Sequence, residues 1–187
     1  MVFKQNDHIN LLNFNIMINE RMQKEINEQI NAEFWSGYLY LSMSAWFTQH
    51  NLPGFANWMY IQYQEEFTHA MKMFRYIHER GGVVTLKPIK AVDTKWKSAT
   101  AIFEQTLSHE RTVTSLINSL MDTAHEIRDY ATINFLNWYV DEQVEEEANA
   151  EEILEKVKMI EKDKAAMYNL DKELSTRVFV DATLNAE

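Results

Sequence analysis

The fold is decided by one stretch in the middle of the chain, residues 83–97, which reads VVTLKPIKAVDTKWK. The stretch is rich in residues that favour extended backbone, it shows no 3.6-residue period, and Pro88 forbids a helix. About 16 extended residues can reach roughly 50 Å, whereas a helix of about 27 residues is about 40 Å long. This stretch can therefore cross the full length of a helical bundle, so the helices before and after it can begin at the same end.

Helical periodicity fills the chain on both sides of this crossover. Apolar residues that recur every three or four positions predict four long helices and one short one. The first helix runs from about Asn19 to His50, and the second from Pro53 to the stop at Gly81-Gly82. The third follows an N-cap at Ser98. The fourth runs from an N-cap at Asp129 to about Lys162, and the fifth from about Ala165 to Val178. We therefore expect an all-α four-helix bundle with one long crossover between helices 2 and 3 and a short C-terminal fifth helix. Residues 17–187 are expected to form one domain, with residues 1–16 as an N-terminal extension outside it.

Composition excludes several classes of protein. Only 4 Gly and 2 Pro occur in 187 residues, too few for the corners of a β-sandwich or barrel. There is no Cys, so disulfides, thiolate metal sites and cysteine catalysis are excluded. The net charge of −10 repels nucleic acid and anionic lipid and attracts cations. Because we find neither an apolar membrane span nor the continuous core of a signal peptide, we expect a cytoplasmic protein without nucleic-acid or membrane partners.

Acidic residues lie on lines of the helices that otherwise carry core residues. They are Glu33 in the first helix, Glu66 with His69 in the second, Glu110 in the third, and Glu142, Glu145 and Glu146, with Gln143 among them, in the fourth. Each of these residues, taken alone, fits a solvated helix face better than a metal site. Together they are informative, because each helix contributes an acid near its middle and the bundle brings the middles together.

Carboxylates buried in this way require a cation. A buried carboxylate without a partner costs several kcal/mol, and neighbouring carboxylates add mutual repulsion. No Arg or Lys lies on these lines within one turn of Glu33, Glu66 or Glu110. Glu66 and His69 are three residues apart, a spacing that directs both side chains to one point. Oxygen ligands with one nitrogen and no sulfur favour iron or manganese over zinc or copper, so we expect a buried di-metal site.

Short motifs along the chain also form a joint pattern. They are NEQINAE at 27–33 with YLY at 38–40, QEEFTH at 64–69, HE at 109–110, FLNWYVDEQ at 135–143 and DKELS at 171–175. Together these motifs resemble the bacterial non-haem ferritins, a family of ferritin-like di-iron four-helix bundles. The resemblance extends from about Met17 to Ser175.

The resemblance implies two to three iron ions per subunit and identifies their ligands. The first site would use Glu33, Glu66 and His69, and the second Glu66, Glu110 and Glu146, with Glu66 bridging and Gln143 close by. The third would use Glu65, Glu142, Glu145 and Glu146, and Tyr40 would stand beside the centre as a one-electron donor.

Two positions depart from related patterns. Phe67 stands where the bacterioferritins carry a haem-ligating Met, so haem is not expected. Val144 replaces a His that some bacterial ferritins carry beside the third site, which leaves the ligands of that site open.

Family membership further implies iron storage with ferroxidase activity. Fe²⁺ would be oxidised by O₂ or H₂O₂ and stored as a hydrated ferric oxide mineral inside a homo-oligomeric shell of 24 subunits. The strand-forming crossover, with its unpaired backbone, predicts pairing with its own copy about a two-fold axis. Two alternatives stay open: a di-iron oxygenase or oxidase, which would need an apolar substrate pocket beside the metals, and a structural bundle that binds a partner through its acidic face.

Overall fold

The structure is a computed structural model that describes residues 17–184, and these residues form an all-helical bundle. It contains α1 (Glu20–Gln49), α2 (Pro53–Glu79), α3 (Ala99–Glu126), α4 (Tyr130–Ile160) and α5 (Lys164–Leu174), followed by a short 3₁₀ turn at Ala182–Leu184. No strand occurs within the described residues. The predicted all-α class with four long helices and a short fifth one is confirmed. The predicted extension, residues 1–16, lies outside the described part of the chain.

The four long helices form two hairpins joined by the crossover. α1 packs along α2 and α3 packs along α4, while α5 lies across the ends of α2 and α4. Each tight turn uses one residue in the left-handed region, Asn51 with φ of 58° and Arg128 with φ of 57°. Both predicted N-caps are confirmed: Ser98 Oγ accepts a hydrogen bond from Ala101 N, and the Asp129 carboxylate accepts one from Thr132 N.

The start of α2 is capped by a residue from the other end of the chain. Pro53 occupies the first turn, and Leu52 supplies no capping side chain. Instead Asp171 Oδ1 of α5 accepts hydrogen bonds from Gly54 N at 2.8 Å and Phe55 N at 3.0 Å. A Cβ at position 54 would lie 1.6 Å from the Asp171 carbonyl oxygen, so only glycine allows this contact. α5 therefore fixes the end of the first hairpin.

The fifth helix ends at Leu174, four residues before the predicted end at Val178. Asn57 of α2 accounts for the difference, because its Nδ2 donates to the carbonyl oxygens of Leu174 and Arg177. The backbone after Leu174 is thereby turned onto α2 instead of continuing the helix.

The crossover runs along α1 in an extended conformation, as its sequence predicts. Gln23, Asn27 and Asn31, spaced four residues apart on α1, exchange hydrogen bonds with its backbone between residues 83 and 87. The backbone groups that this ladder satisfies are the N–H and C=O of Val83 and Thr85 and the N–H of Lys87. The first part of the crossover thus obtains its partners from α1 rather than from a second strand.

The core divides into two apolar clusters, one toward each end of the bundle. The first is rich in aromatic rings, with Phe47, Phe55 and Phe103 in mutual contact. The second is mainly aliphatic and includes Ile26, Met73 and Ile117 of the first three helices. None of the helices between residues 17 and 184 combines the length and apolarity that a membrane span requires.

Candidate metal centre

A polar layer separates the two apolar clusters. In every long helix the buried apolar residues of the first cluster lie on one side of this layer and those of the second cluster on the other. The layer contains Glu33 of α1, Glu66 and His69 of α2, Glu110 of α3, and Gln143 and Glu146 of α4. No member of this set is more than 5 % exposed. All four helices of the bundle therefore direct ionisable or amide side chains to one buried layer.

One group in this layer joins α1 to α2. Glu33, Glu66 and His69 each place a ligand atom within 4.8 Å of the others. Glu33 Oε1 accepts a hydrogen bond from Gln29 Nε2 at 2.9 Å, and His69 Nδ1 lies 3.8 Å from Glu66 Oε2. Among the described residues, the buried side-chain oxygen and nitrogen atoms without a hydrogen-bond partner are Glu33 Oε2 and Glu66 Oε2. Two carboxylate oxygens are thus buried without a hydrogen-bond donor to offset their desolvation.

A second group extends from the same histidine to α4. His69, Glu142 and Glu146 also bring ligand atoms within 4.8 Å of one another. His69 Nε2 lies 3.8 Å from Glu142 Oε1, and Glu146 Oε2 accepts a hydrogen bond from Gln62 Nε2 at 2.7 Å. Glu142 is partly exposed, with a fifth of its side chain reaching solvent. His69 therefore stands between the two groups, with one ring nitrogen toward each.

Glu110 is buried in the same layer but belongs to neither three-residue group. Its carboxylate accepts a hydrogen bond from the Tyr40 hydroxyl and another from Gln143 Nε2, the latter at 3.3 Å. Burial, followed by the charge of Glu146, raises the pKa of the Glu110 carboxyl to about 8. Tyr40 itself is fully buried, so its contact with the acid is shielded from water. This contact agrees with the position beside the centre that the resemblance implies for Tyr40.

Glu65 and Glu145 belong to neither three-residue group. Glu145 is exposed on α4, one residue after the exposed Val144. Glu65 is mostly buried and forms an ion pair with Arg177, whose Nη2 lies 2.7 Å from Glu65 Oε2. Sequence reasoning missed Arg177, because it follows α5 and reaches the centre only through the turn that Asn57 imposes.

Burial and, after it, the repulsion among neighbouring carboxylates set the electrostatics of this layer. Burial, followed by the charges of Glu33 and Glu110, raises the pKa of Glu66 well above its ordinary value. Burial likewise raises the pKa of Glu146, and it raises that of Glu65 to about 8 despite the opposing effect of Arg177. Carboxyl groups held in this way retain protons in the absence of a cation and release them when one binds.

Close packing holds the ligands in place. A Cβ at Gly37 of α1 would lie 3.3 Å from the Tyr63 carbonyl oxygen and 3.4 Å from Glu66 Cβ, so this glycine lets the two helices approach beside the ligand. The His69 ring packs edge-on against Trp138, and the Tyr139 hydroxyl donates to the His69 carbonyl oxygen. These contacts restrict the rotamers of the ligands before any metal arrives.

A mostly apolar cavity of about 220 Å³ opens beside Glu33. Its walls come from α1, α2 and the crossover, and its lining includes Phe34, Tyr63, Phe67 and Ile89. Pockets that bind drug-sized organic molecules measure about 300–1,000 Å³. The cavity is therefore too small for a sizeable organic substrate.

The donor set fits a hard cation. Carboxylate oxygens dominate, one imidazole contributes nitrogen, and the chain contains no thiol. Such ligands suit iron and manganese, and two unpartnered buried carboxylate oxygens provide the negative charge that a divalent ion neutralises.

Comparisons with known proteins agree with this geometry. Residues 23–160 match the ferritin-like domain family. The chain is 45 % identical over 161 residues to the bacterial non-heme ferritin of Bacteroides fragilis, covering 86 % of this chain and 100 % of that one. It is 37 % identical over 160 residues to the bacterial non-heme ferritin of Escherichia coli O6:H1, covering 86 % of this chain and 97 % of that one. Among solved structures, an engineered closed form of the Archaeoglobus fulgidus ferritin is similar with a TM-score of 0.86 and 51 % identity, over 87 % of this chain and 99 % of that chain.

Proposed function

This chain belongs to the ferritin family, and from that premise we propose that it is an iron storage protein with ferroxidase activity. Its substrates are Fe²⁺ and O₂, with H₂O₂ as an alternative oxidant, and its product is a hydrated ferric oxide mineral held inside a shell of 24 subunits. The observation that carries the proposal is the pair of buried, unpartnered oxygens, Glu33 Oε2 and Glu66 Oε2. An apolar or hydrogen-bonded pair would be more stable there if the chain had only to fold.

We assign the ligands to two adjacent iron positions. Glu33, Glu66 and His69 hold the first, and their mutual distances support this assignment. Glu66, Glu110 and Glu146 hold the second, so Glu66 bridges. Gln143 supports the second position by donating to Glu110.

The third position takes Glu65, Glu142, Glu145 and Glu146, so that Glu146 serves both the second and the third positions. Glu142 and Glu146 already lie together beside His69, which supports their part of this assignment. Glu65 and Glu145 would have to join them when the third ion binds.

Two bound Fe²⁺ ions can each give one electron to a shared O₂, and carboxylates stabilise the Fe³⁺ product. The side chains prepare this step. Glu110 holds a proton at neutral pH in the metal-free chain, because its pKa is about 8, and it gives up this proton when iron replaces it. Tyr40, hydrogen-bonded to Glu110, is placed beside the centre as a one-electron donor.

The two alternatives are less well supported. A di-iron oxygenase needs room for its organic substrate, and the cavity beside Glu33 measures about 220 Å³. A purely structural bundle gives no reason for two unpartnered carboxylate oxygens in the core. We retain the cytoplasm as the proposed location.

The decisive experiment is O₂ uptake with Fe²⁺ and no organic substrate. We expect turnover far beyond two irons per chain in the native protein and loss of the fast phase in Glu33→Gln. Glu28→Gln is the matched control, because Glu28 lies on the same helix but pairs with Lys87 on the surface. A particle mass of about 500 kDa, 24 times the 22.1 kDa chain, is expected in solution. Oxidation that stops at two irons per chain would contradict the storage function.

A further inference from the structure

The segment that follows α5 places a cationic side chain, that of Arg177, next to Glu65 at the metal centre. After α5 the backbone turns onto α2, where Asn57 Nδ2 donates to the Arg177 carbonyl oxygen at 3.0 Å. The following residues continue along the same helix, and Arg75 Nη2 donates to Thr183 Oγ1 at 3.4 Å. Residues 175–184, which we call the C-terminal arm, thus run along α2 past the metal ligands it carries.

Arg177 is the residue by which this arm reaches the centre. Its Nη2 donates to Glu65 Oε2 at 2.7 Å, and its Nη1 donates to Gln62 Oε1 at 2.5 Å. The guanidinium lies over the Trp58 ring, 4.8 Å from its centroid. Less than a quarter of the side chain is exposed, so the guanidinium is held in a defined position on the protein.

The contact continues into the ligand set through one amide. Gln62 accepts from Arg177 with its oxygen and donates to Glu146 Oε2 with its nitrogen, at 2.7 Å. Gln62 is fully buried, so its amide cannot rotate freely between the two partners. Arg177 is therefore paired directly with Glu65 and linked through Gln62 to Glu146, two of the four carboxylates assigned to the third iron position.

We propose that Arg177 is a positioning residue that competes with the third iron for Glu65, so that filling the third position releases the C-terminal arm from α2. This inference rests on the proposed function, because it presupposes that metal binds at the centre. A metal ion and a guanidinium on one carboxylate repel each other in a poorly solvated site. Occupation of the third position and docking of the arm are then reciprocally coupled. The first two positions do not use Glu65, so they can fill while Arg177 stays paired with it.

The test is calorimetric titration of the full-length protein with Zn²⁺, which binds oxygen and nitrogen ligands without changing its oxidation state. The third-site signal is defined as the heat lost in Glu65→Gln. We expect Arg177→Gln to bind at this site about tenfold more tightly than the native chain, because the competing charge-assisted hydrogen bonds are gone. Arg177→Lys keeps the charge and is expected to restore most of the native affinity. In the Glu65→Gln background, Arg177→Gln should not change the heat or the affinity of Zn²⁺ binding.

Hydrogen exchange of the C-terminal arm gives an independent readout. In the native protein, exchange of residues 175–184 is expected to rise when the third equivalent of Zn²⁺ is added, and not with the first two. Equal third-site affinity in the native chain and Arg177→Gln, or an arm that stays protected at saturation, overturns the competition. If instead no tight Zn²⁺ binding occurs in any variant, the metal centre itself is wrong, and the proposed function fails with it.

Discussion

The Arg80–Asp129 ion pair and the Glu33–Glu66–His69 group both lie between helices of the same bundle, but they treat their charges differently. Arg80 donates to both oxygens of Asp129, each at 3.1 Å. Thr132 donates to the same carboxylate with its hydroxyl and its backbone N–H. In the other group, Glu33 and Glu66 each keep one buried oxygen without a partner. One set of charges is complete within the chain, and the other is completed only by a cation from outside.

This difference separates polar residues that hold the fold together from the polar residues that we assign to iron binding. Asp129 caps α4 and links it to the end of α2, so its partners are part of the architecture. Glu33 and Glu66 contribute nothing comparable to stability, and their desolvation and repulsion oppose folding. Substitutions in the two regions should therefore have opposite consequences for stability and for iron oxidation.

The largest effect is expected from Glu66→Ala. Because this carboxylate is assigned to both iron positions, its loss should slow the initial oxidation of Fe²⁺ by at least about 100-fold, measured by stopped-flow absorbance. The metal-free variant should melt at the same temperature as the native protein or higher, since a buried carboxyl group with an unpartnered oxygen has been removed. His69→Ala, which affects the first position mainly, is the comparison variant. Oxidation at the native rate in Glu66→Ala would show that the bridging assignment is wrong.

The next largest effect is expected from Asp129→Ala, which should lower the stability of the protein without changing the initial rate of iron oxidation. Removal of this carboxylate leaves Arg80 without its bidentate partner and α4 without its cap, for a combined loss of about 3 kcal/mol in the free energy of unfolding. Denaturant unfolding of the metal-free protein measures it. The matched control is Glu126→Ala, whose pair with Arg21 is exposed and should leave the midpoint unchanged. If folded Asp129→Ala oxidised Fe²⁺ more slowly in the initial phase, the separation of the two regions into a stabilising one and a reactive one would be wrong.

A smaller effect is expected from pH, with opposite signs for the two regions. Hydrogen bonds from Arg80 and Thr132 lower the pKa of Asp129 against the effect of burial, so its contribution to stability is lost as the pH falls below about 4. The pKa of Glu110 is raised to about 8, so its contribution is present at acidic pH and is lost as the pH rises from about 4.5 through 8.

Thermal melts of the metal-free protein across this range test both signs. We expect the melting temperature to decline between about pH 4.5 and 8 as the centre's acids are forced to ionise. Saturating Zn²⁺ should remove this decline, because the cation takes the place of the protons. A decline over this pH range that persists unchanged with Zn²⁺ bound would place its origin outside the centre.

The helices and the inward direction of the acids could be predicted from the sequence because both depend on local rules. Few glycines and prolines interrupt the 3.6-residue period, so a residue such as Glu33 or Glu110 shares the direction of its apolar neighbours. Ser98 and Asp129 cap helices that begin within three residues of them, which is also a local signal.

Contacts between distant segments could not be predicted in the same way. Asp171 caps α2 across 117 positions of sequence, and Arg177 pairs with Glu65 across 112. The ladder from Asn27 and Asn31 to the crossover depends on the register between two segments that only the folded chain defines. For the same reason, the expectation that the crossover backbone is unpaired is wrong for its first residues, which are hydrogen-bonded to α1.

The smallest effect is expected at the edge of the centre, from a comparison of Glu142→Gln with Glu145→Gln. Glu142 Oε1 lies 3.8 Å from His69 Nε2, so its replacement should disturb the ligand histidine and slow the initial oxidation several-fold. Glu145 is exposed and belongs to neither ligand group, so its replacement should leave the initial rate within about twofold of the native value and alter only the later mineralising phase. Stopped-flow absorbance followed by slow iron loading separates the two phases. If Glu145→Gln lost the fast phase as completely as Glu66→Ala, the exposed acid would belong to the first two positions, and the boundary between the fast centre and the third position would have to be redrawn.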